Sequence, residues 1–307
     1  MLDFIVFTLA MGALIYGADF IIKESERIAL KFNISHFVIG ATLVAVGTSL
    51  PEMAVSMSAS LKGSADIAVA NVIGSTIFNI SLVLGVVFLL AKKINPNRDL
   101  FAKDSAWSLF PILVFILMSI DGKLNYVDGI LFLFLMAGYV LFLIQSNQVE
   151  EVDDDLIKEE FVWLKTALLL LVGFCFVISG AHFAIDSAGN IARNFGVSEW
   201  VIGLFLVAFG TSLPELMISI KSALKNNADL AIGNIIGSNV ANFTMVLGLS
   251  SIINPLNVDL HANFFDITAA FIVSLMLVFI TANKLYNKSA GIALMVVLAL
   301  VIQNSLI

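Results

Sequence analysis

Two copies of one hexapeptide carry the chemistry of this chain: Gly47-Thr48-Ser49-Leu50-Pro51-Glu52 and Gly210-Thr211-Ser212-Leu213-Pro214-Glu215. Both lie deep inside long apolar runs. Proline has no N–H, so Pro51 and Pro214 leave the carbonyls of Gly47 and Gly210 without their helical donors. Thr48, Ser49, Thr211 and Ser212 add hydroxyl oxygens. A helix broken in this way offers oxygens to a cation while burying them in protein. The two glutamates are the costly part, because a carboxylate at a membrane-helix centre costs roughly 2.5–3.5 kcal/mol or more. With every basic residue assigned to a loop, nothing pairs with them, and two carboxylates brought together repel. A bound divalent cation relieves both costs. The plainer alternative, each Pro-Glu merely starting a helix near the interface, would have to hold independently in both copies.

A second repeated pair adds Ser75 with Asn79 and Ser238 with Asn242. A spacing of four places each pair on one helix face, and Gly74 and Gly237 are expected to let that face approach a neighbouring helix closely. Carboxylate, amide, hydroxyl and carbonyl oxygens without imidazole or thiolate suit Ca²⁺ or Na⁺ and argue against zinc or copper. Two carboxylates neutralise one Ca²⁺. A membrane-embedded enzyme using Glu52 and Glu215 would need a nucleophile with its base, or a His-rich metal motif, and neither is present. The single cysteine, Cys175, excludes an intramolecular disulfide and a multi-cysteine metal site.

The elements that position these residues follow from composition. Of 307 residues 60% are hydrophobic and 13% charged, with mean hydropathy +1.01. Soluble domains carry about 25% charged residues, so a soluble, disordered or nucleic-acid-binding protein is excluded. At about 20 residues per span there is room for roughly ten transmembrane helices. Ten apolar runs are found, at about 3–22, 34–61, 67–91, 105–120, 126–145, 162–185, 197–224, 230–253, 262–282 and 289–306. They are long and lack the alternation of a membrane barrel. The first lacks a basic leader, with Asp3 in its place, and reads as a helix of the mature protein rather than a signal peptide.

Placing the N-terminus outside leaves only Lys62, Lys123 and Arg193 in outside loops; the other 13 of the 16 basic residues, Lys23, Arg27, Lys31, Lys165 and Lys221 among them, fall in inside loops. The positive-inside rule then puts both termini outside and the loop between helices five and six in the cytoplasm. That loop holds Glu150, Glu151, Asp153, Asp154, Asp155, Glu159 and Glu160 against Lys158, nearly the whole formal charge of −7. It reads as a solvated linker, with a regulatory cation-binding loop as the sharper alternative.

The two halves repeat. Residues 17–52 align with 180–215 at an offset of 163, and ANVIGSTIFN at 70–79 falls on GNIIGSNVAN at 233–242. The expected organisation is 1–146 as a first five-helix repeat, 147–161 as the acidic linker and 162–307 as a second repeat. Five is odd, so the copies cross the membrane in opposite senses. The expected fold class is all-α integral membrane, ten transmembrane helices as two inverted-topology repeats, a signature of secondary transporters; channels are also built this way.

The paired GTSLPE and G(N)xxGSxxxN segments resemble the two α-repeats of the Ca²⁺/cation antiporter superfamily, and most closely its prokaryotic Na⁺/Ca²⁺ exchangers. The resemblance covers essentially the whole chain. It implies exchange of Ca²⁺ for Na⁺ by sliding of helices one and six across the other eight. It further implies ligation by Thr48, Ser49, Glu52, Ser75, Asn79, Thr211, Ser212, Glu215 and Ser238, with the carbonyls of Ala45 and Ala208. The Na⁺-coupled branch often has Asp where this chain has Asn242, and the paired asparagines resemble the proton-coupled members. Na⁺ is the counter-ion expected, H⁺ the alternative, a passive cation channel the rival class. No cofactor, nucleic acid or obligate protein partner is expected; the ions and the lipid bilayer of the cell (plasma or inner) membrane are the partners.

His36, His182 and His261 are expected near helix ends without a proton-relay role. Asp66 and Asp229 recur at the offset of 163 and are expected to cap helix N-termini. Asp19 aligns with His182, so no repeated carboxylate exists there.

Overall fold

A computed structural model describes residues 2–91, 94, 96–97, 99–147, 161–194 and 208–305. Helix α1 (Leu2–Phe32) is followed by α2 (His36–Thr48) and α3 (Leu50–Leu61), bent by 45° against each other. Then come α4 (Ala65–Leu90), α5 (Ser105–Asp121) and α6 (Tyr126–Gln145). The second half holds α7 (Trp163–Asn194), α8 (Ala208–Thr211), α9 (Leu213–Leu224), α10 (Ala228–Ile253), α11 (Phe264–Ala282) and α12 (Lys288–Ser305). Strands β1 (Lys123–Leu124) and β2 (Leu256–Asn257) pair antiparallel.

Among the described residues six helices are long and apolar enough to cross a membrane, or seven with the bent α2–α3 pair as one span. Of the ten expected runs, those at 105–120 and 289–306 are shorter apolar helices, and that at 197–224 is described from Ala208 onward. The acidic residues of the linker lie outside the described residues.

Helices α4 and α10 form the centre. Their apolar windows are 72% and 83% buried, against 33% for α1 and for α7. The larger apolar cluster joins α4, α6, α10 and α11 through Ile80, Phe132, Phe243 and Val273. A smaller one joins α1 and α7 to α2 and α9 through Leu14, Val177, Val44 and Ile218. Small residues set the closest approaches. A Cβ at Gly237 of α10 would lie 2.4 Å from the Ala41 carbonyl oxygen of α2, and one at Gly17 of α1 would lie 2.8 Å from the Gly173 oxygen of α7.

Polar contacts between different elements fall into two sets. In one, Asn147 donates to the Asn33 carbonyl and accepts from the Ser35 N–H, Asp229 accepts from the Asn97 N–H, Asn227 donates to Glu26, and Lys221 and Lys225 hold Asp19 at 2.6 and 2.8 Å. In the other, Asn190 donates to Asp3, Asn254 to the Ser60 carbonyl, and Lys123 faces Asn257 across the strand pair.

Several expectations are corrected. Lys23, Arg27 and Lys31 are not in a loop: they lie on α1, as Lys165 and Arg193 lie on α7 and Lys221 on α9. The cause is length, since α1 has 31 residues and spans about 46 Å at 1.5 Å per residue, beyond the roughly 30 Å hydrocarbon core. Arg27 is buried against Glu24 at 3.2 Å. The N-caps expected at Asp66 and Asp229 are instead Ser64 and Asn227, and only Asn227 makes the side-chain cap bond, to the Leu230 N–H. The two aspartates sit one residue inside the first turn, where a carboxylate still complements the helix dipole. His182 is not near an end of α7 but well within it, exposed beside Asp186.

Candidate functional site

The helix breaks form as the proline spacing requires. Pro51 and Pro214 occupy the first turn of α3 and α9, where a missing N–H costs no intrahelical bond. Two residues before each proline, Ser49 (φ −82, ψ 6) and Ser212 (φ −87, ψ 3) leave helical geometry. Each break therefore points a Thr-Ser pair and, one turn on, a glutamate into the interior. In α4 and α10 a π turn opens near the same level, at Phe78–Leu84 and Asn242–Val246, and carries Asn79 and Asn242. Wide turns of this kind concentrate at functional sites.

Glu52 and Glu215 are fully buried. Oε1 of Glu215 accepts from Ser49 across the repeats at 3.3 Å, and Oε1 of Glu52 accepts from Ser75 at 3.4 Å. The Oε2 atoms of both are buried without a partner. Thr48 donates to the Ala45 carbonyl at 3.1 Å and to Asn234 Oδ1 at 3.2 Å, and stands 3.3 Å from the Ser238 hydroxyl. Ser238 in turn reaches the Ala45 carbonyl at 3.5 Å.

The expected site residues thus gather around two carboxylates. Ala45, Thr48, Ser49 and Ser238 lie with Glu215; Ser75 lies with Glu52, and the Thr211 hydroxyl stands by Glu52 outside hydrogen-bond geometry. Asn79 turns to a different partner than its face-mate Ser75: its Nδ2 donates to Asn239 Oδ1 at 3.2 Å, leaving its own Oδ1 buried and unbonded. Ser212 and Asn242 are buried and make no hydrogen bond through their side-chain polar atoms. Ala208 begins α8, one turn before Thr211. The expected close approach holds at Gly237; at Gly74 a Cβ would meet none of the described residues within 4 Å.

Four more residues belong to the site's surroundings; the sequence motif takes in Asn71 and Asn234 without giving them a role, and Ser56 and Ser219 are absent from the sequence reading. Asn71 donates to Ser56 at 2.9 Å and to the Glu52 carbonyl at 3.2 Å, and Ser56 donates to the Ala68 carbonyl. At the offset of 163, Asn234 donates to Ser219 at 3.0 Å and Ser219 to the Ala231 carbonyl. Their recurrence in both aligned segments was the available signal.

The arrangement fits a hard cation. Unbonded buried oxygens on both carboxylates, Thr211, Ser212, Asn79 and Asn242 supply ligands that carry a desolvation cost until something positive takes them. Among the described residues no three of His, Cys, Asp and Glu converge.

An apolar helical chain with broken helices around a buried oxygen-lined centre is an integral membrane protein of the transporter class. A sequence profile described as Sodium/calcium exchanger protein matches residues 2–145 and again 165–306, and the chain belongs to that family. It is 30% identical to the sodium/calcium exchanger MaX1 of Methanosarcina acetivorans over 334 aligned positions, covering 95% of each chain. It is 39% identical to an uncharacterized membrane protein of Methanocaldococcus jannaschii over 80% of each. A solved structure of the sodium-calcium exchanger NCX_Mj matches with TM-score 0.83 at 34% identity, covering 98% of both chains.

Proposed function

We propose that the chain exchanges Ca²⁺ for Na⁺ across the cell membrane at the centre between the two breaks. One observation carries the reading: Glu52 and Glu215 are fully buried, each with one oxygen on a serine hydroxyl and one on nothing. Two buried carboxylates are tolerable only when neutralised. Ca²⁺ neutralises both at once, and monovalent ions do so one each. Occupancy by either excludes the other, and mutual exclusion at a charge-limited centre makes exchange obligatory. The carboxylates with Thr48, Ser49, Ser75, Asn79, Thr211, Ser212, Ser238, Asn242 and the carbonyls of Ala45 and Ala208 are the ligand set.

The architecture that goes with this reading is ten crossings in two inverted five-helix repeats (1–146 and 162–307), with both termini outside and linker 147–161 cytoplasmic. The two sets of polar ties support it. Every tie joins segments that the ten-crossing arrangement puts on the same side: Asn33 with Asn147 and Asn97 with Asp229 inside, Asp3 with Asn190 and Ser60 with Asn254 outside.

Proteoliposomes carrying the purified chain, with Na⁺ and proton gradients imposed separately, test the function. Ca²⁺ uptake driven by an outward Na⁺ gradient, and lost in Glu52→Gln and Glu215→Gln, is the expected result. Uptake driven only by a proton gradient assigns the paired asparagines to H⁺ coupling, and uptake needing neither gradient makes the chain a channel.

A further inference from the structure

The polar ties between α1 and the α9–α10 pair serve no part of the exchange centre. Lys221 of α9 donates to Asp19 Oδ2 at 2.6 Å and to the Ile15 carbonyl at 2.7 Å. Lys225, one turn on, holds Asp19 Oδ1 at 2.8 Å. Beyond them Asn227 donates to Glu26 at 2.8 Å. One carboxylate of α1 thus meets two ammonium groups on one face of α9, and the first of these also grips the α1 backbone. In the orientation proposed above, these ties lie on the inner side.

Packing sets α1 apart from the helices that α9 otherwise touches. α9 faces the larger apolar cluster through Ala223, together with α4 and α10, and the smaller cluster through Ile218, together with Leu14 and Ile22 of α1. α4 and α10 are deeply buried, whereas α1 is thinly buried and rests on α7. Of the helices against α9, α1 is therefore the one that can shift without opening the main core, and it is also helix one, whose sliding the family resemblance implies. α9 carries Glu215 in its first turn and runs from there to Lys221 in its last, so α1 lies over the inner half of the path to the carboxylates. Movement of α1 along α9 breaks both ion pairs with Asp19.

The repeat builds this cluster once. At the offset of 163, Asp19 falls on His182, Lys221 on Ser58 and Lys225 on Lys62. The outer-side equivalent, α7 against α3, replaces the central carboxylate with an imidazole and one of its two lysines with a serine.

We propose that Asp19, Lys221 and Lys225 form a one-sided latch between α1 and α9, which stabilises the state closed on the inner side and tilts the balance of the carrier toward its outer face. The inference rests on the exchange reading above. The latch binds no ion; it acts on which face is presented. Apparent affinity at a face scales with the fraction of chains presenting it, so the ratio of the outer to the inner Ca²⁺ half-saturation reports the latch even when affinity at the centre is unchanged.

Ca²⁺ uptake through each face, in vesicles of known orientation, tests this. Asp19→Asn raises the ratio of outer to inner half-saturation by about two- to tenfold, the effect of losing two partly exposed ion pairs. In a background of Lys221→Met with Lys225→Met it changes the ratio by less than about 1.5-fold, because its partners are already gone. Lys225→Met alone moves the ratio in the same direction and serves if Asp19→Asn does not fold. A cluster that only steadied the fold would alter both half-saturations, or the maximal rate, without changing their ratio. An unchanged ratio, a fall in it, or additivity with the lysine substitutions overturns the proposal. Glu52→Gln runs alongside. If it transports like the native protein, the site reading falls and this proposal with it; if it is inactive while Asp19→Asn leaves the ratio unchanged, only the latch falls.

Discussion

Gly74 and Gly237 are equivalent in sequence, and the geometry separates them. A Cβ at Gly237 would lie 2.4, 2.6 and 2.7 Å from the O, Cα and C atoms of Ala41, all backbone. Ordinary carbon–oxygen contact begins near 3.3 Å, so α2 and α10 would have to part by about 1 Å. Overpacking of this kind costs about 1–3 kcal/mol. The separation also strains the Thr48–Asn234 bond at 3.2 Å and the Ser238–Ala45 bond at 3.5 Å, adding about 1 kcal/mol for each one lost. Gly237→Ala is therefore expected to cost about 2–4 kcal/mol, a drop on the order of 5–10 °C in a thermal midpoint. At Gly74 the methyl meets none of the described residues, and the helix gains up to about 1 kcal/mol from alanine propensity, so Gly74→Ala leaves the midpoint unchanged or raises it. Both variants are compared in the same detergent at one scan rate, because unfolding of such proteins is read kinetically. Equal losses at the two positions, or none at Gly237, would refute the packing argument.

Two further outcomes follow from the same geometry. Asn242→Asp places a third carboxylate in the buried π turn of α10, where neither amide atom is bonded; the expected result is a lower Ca²⁺ half-saturation and sharper inhibition of Ca²⁺ uptake by Na⁺, and unchanged Na⁺ competition would count against Asn242 as a ligand. Asp19→Asn removes the partner of Lys221 and Lys225, but the three side chains are 17–45% exposed, so each pair contributes at most about 1 kcal/mol; a midpoint shift beyond about 5 °C would show that this cluster holds α1 to α9 far more strongly than screened charges do.

What could be read from the residues was whatever is conspicuous against an apolar background. Glu52 and Glu215 stand out because a charge in a long apolar run is costly, and their recurrence at one offset turns a curiosity into a site. The breaks at Ser49 and Ser212 follow from the prolines two residues on. Asn71 and Asn234 fall in the repeated motif but receive no role from it, because an uncharged amide in a helix carries no cost until it is seen buried. Helix length was hidden by the opposite effect: Lys23, Arg27 and Lys31 look like a loop, whereas a 31-residue helix simply carries them past the lipid. Gly74 and Gly237 were indistinguishable, since a helical glycine's neighbours in sequence do not encode which helix packs on it.

The same point bears on how a repeated sequence makes a working site. Two copies of one pattern would, if they adopted one conformation, form a centre with equal bonds on both sides. Instead Thr48 is bonded across to Asn234 while the Thr211 hydroxyl makes no such bond, and α10 is pressed on α2 at Gly237 while Gly74 meets none of the described residues. A mirror arrangement, with Thr211 on Asn71 and Gly74 covered, would use interactions of the same kind. Near-equality of two such states is what a carrier needs, since a large gap would leave one face populated and transport stalled. Departures from the repeat, Asn239 where the first copy has Thr76 and Asp19 where the second has His182 among them, make the two sides unequal.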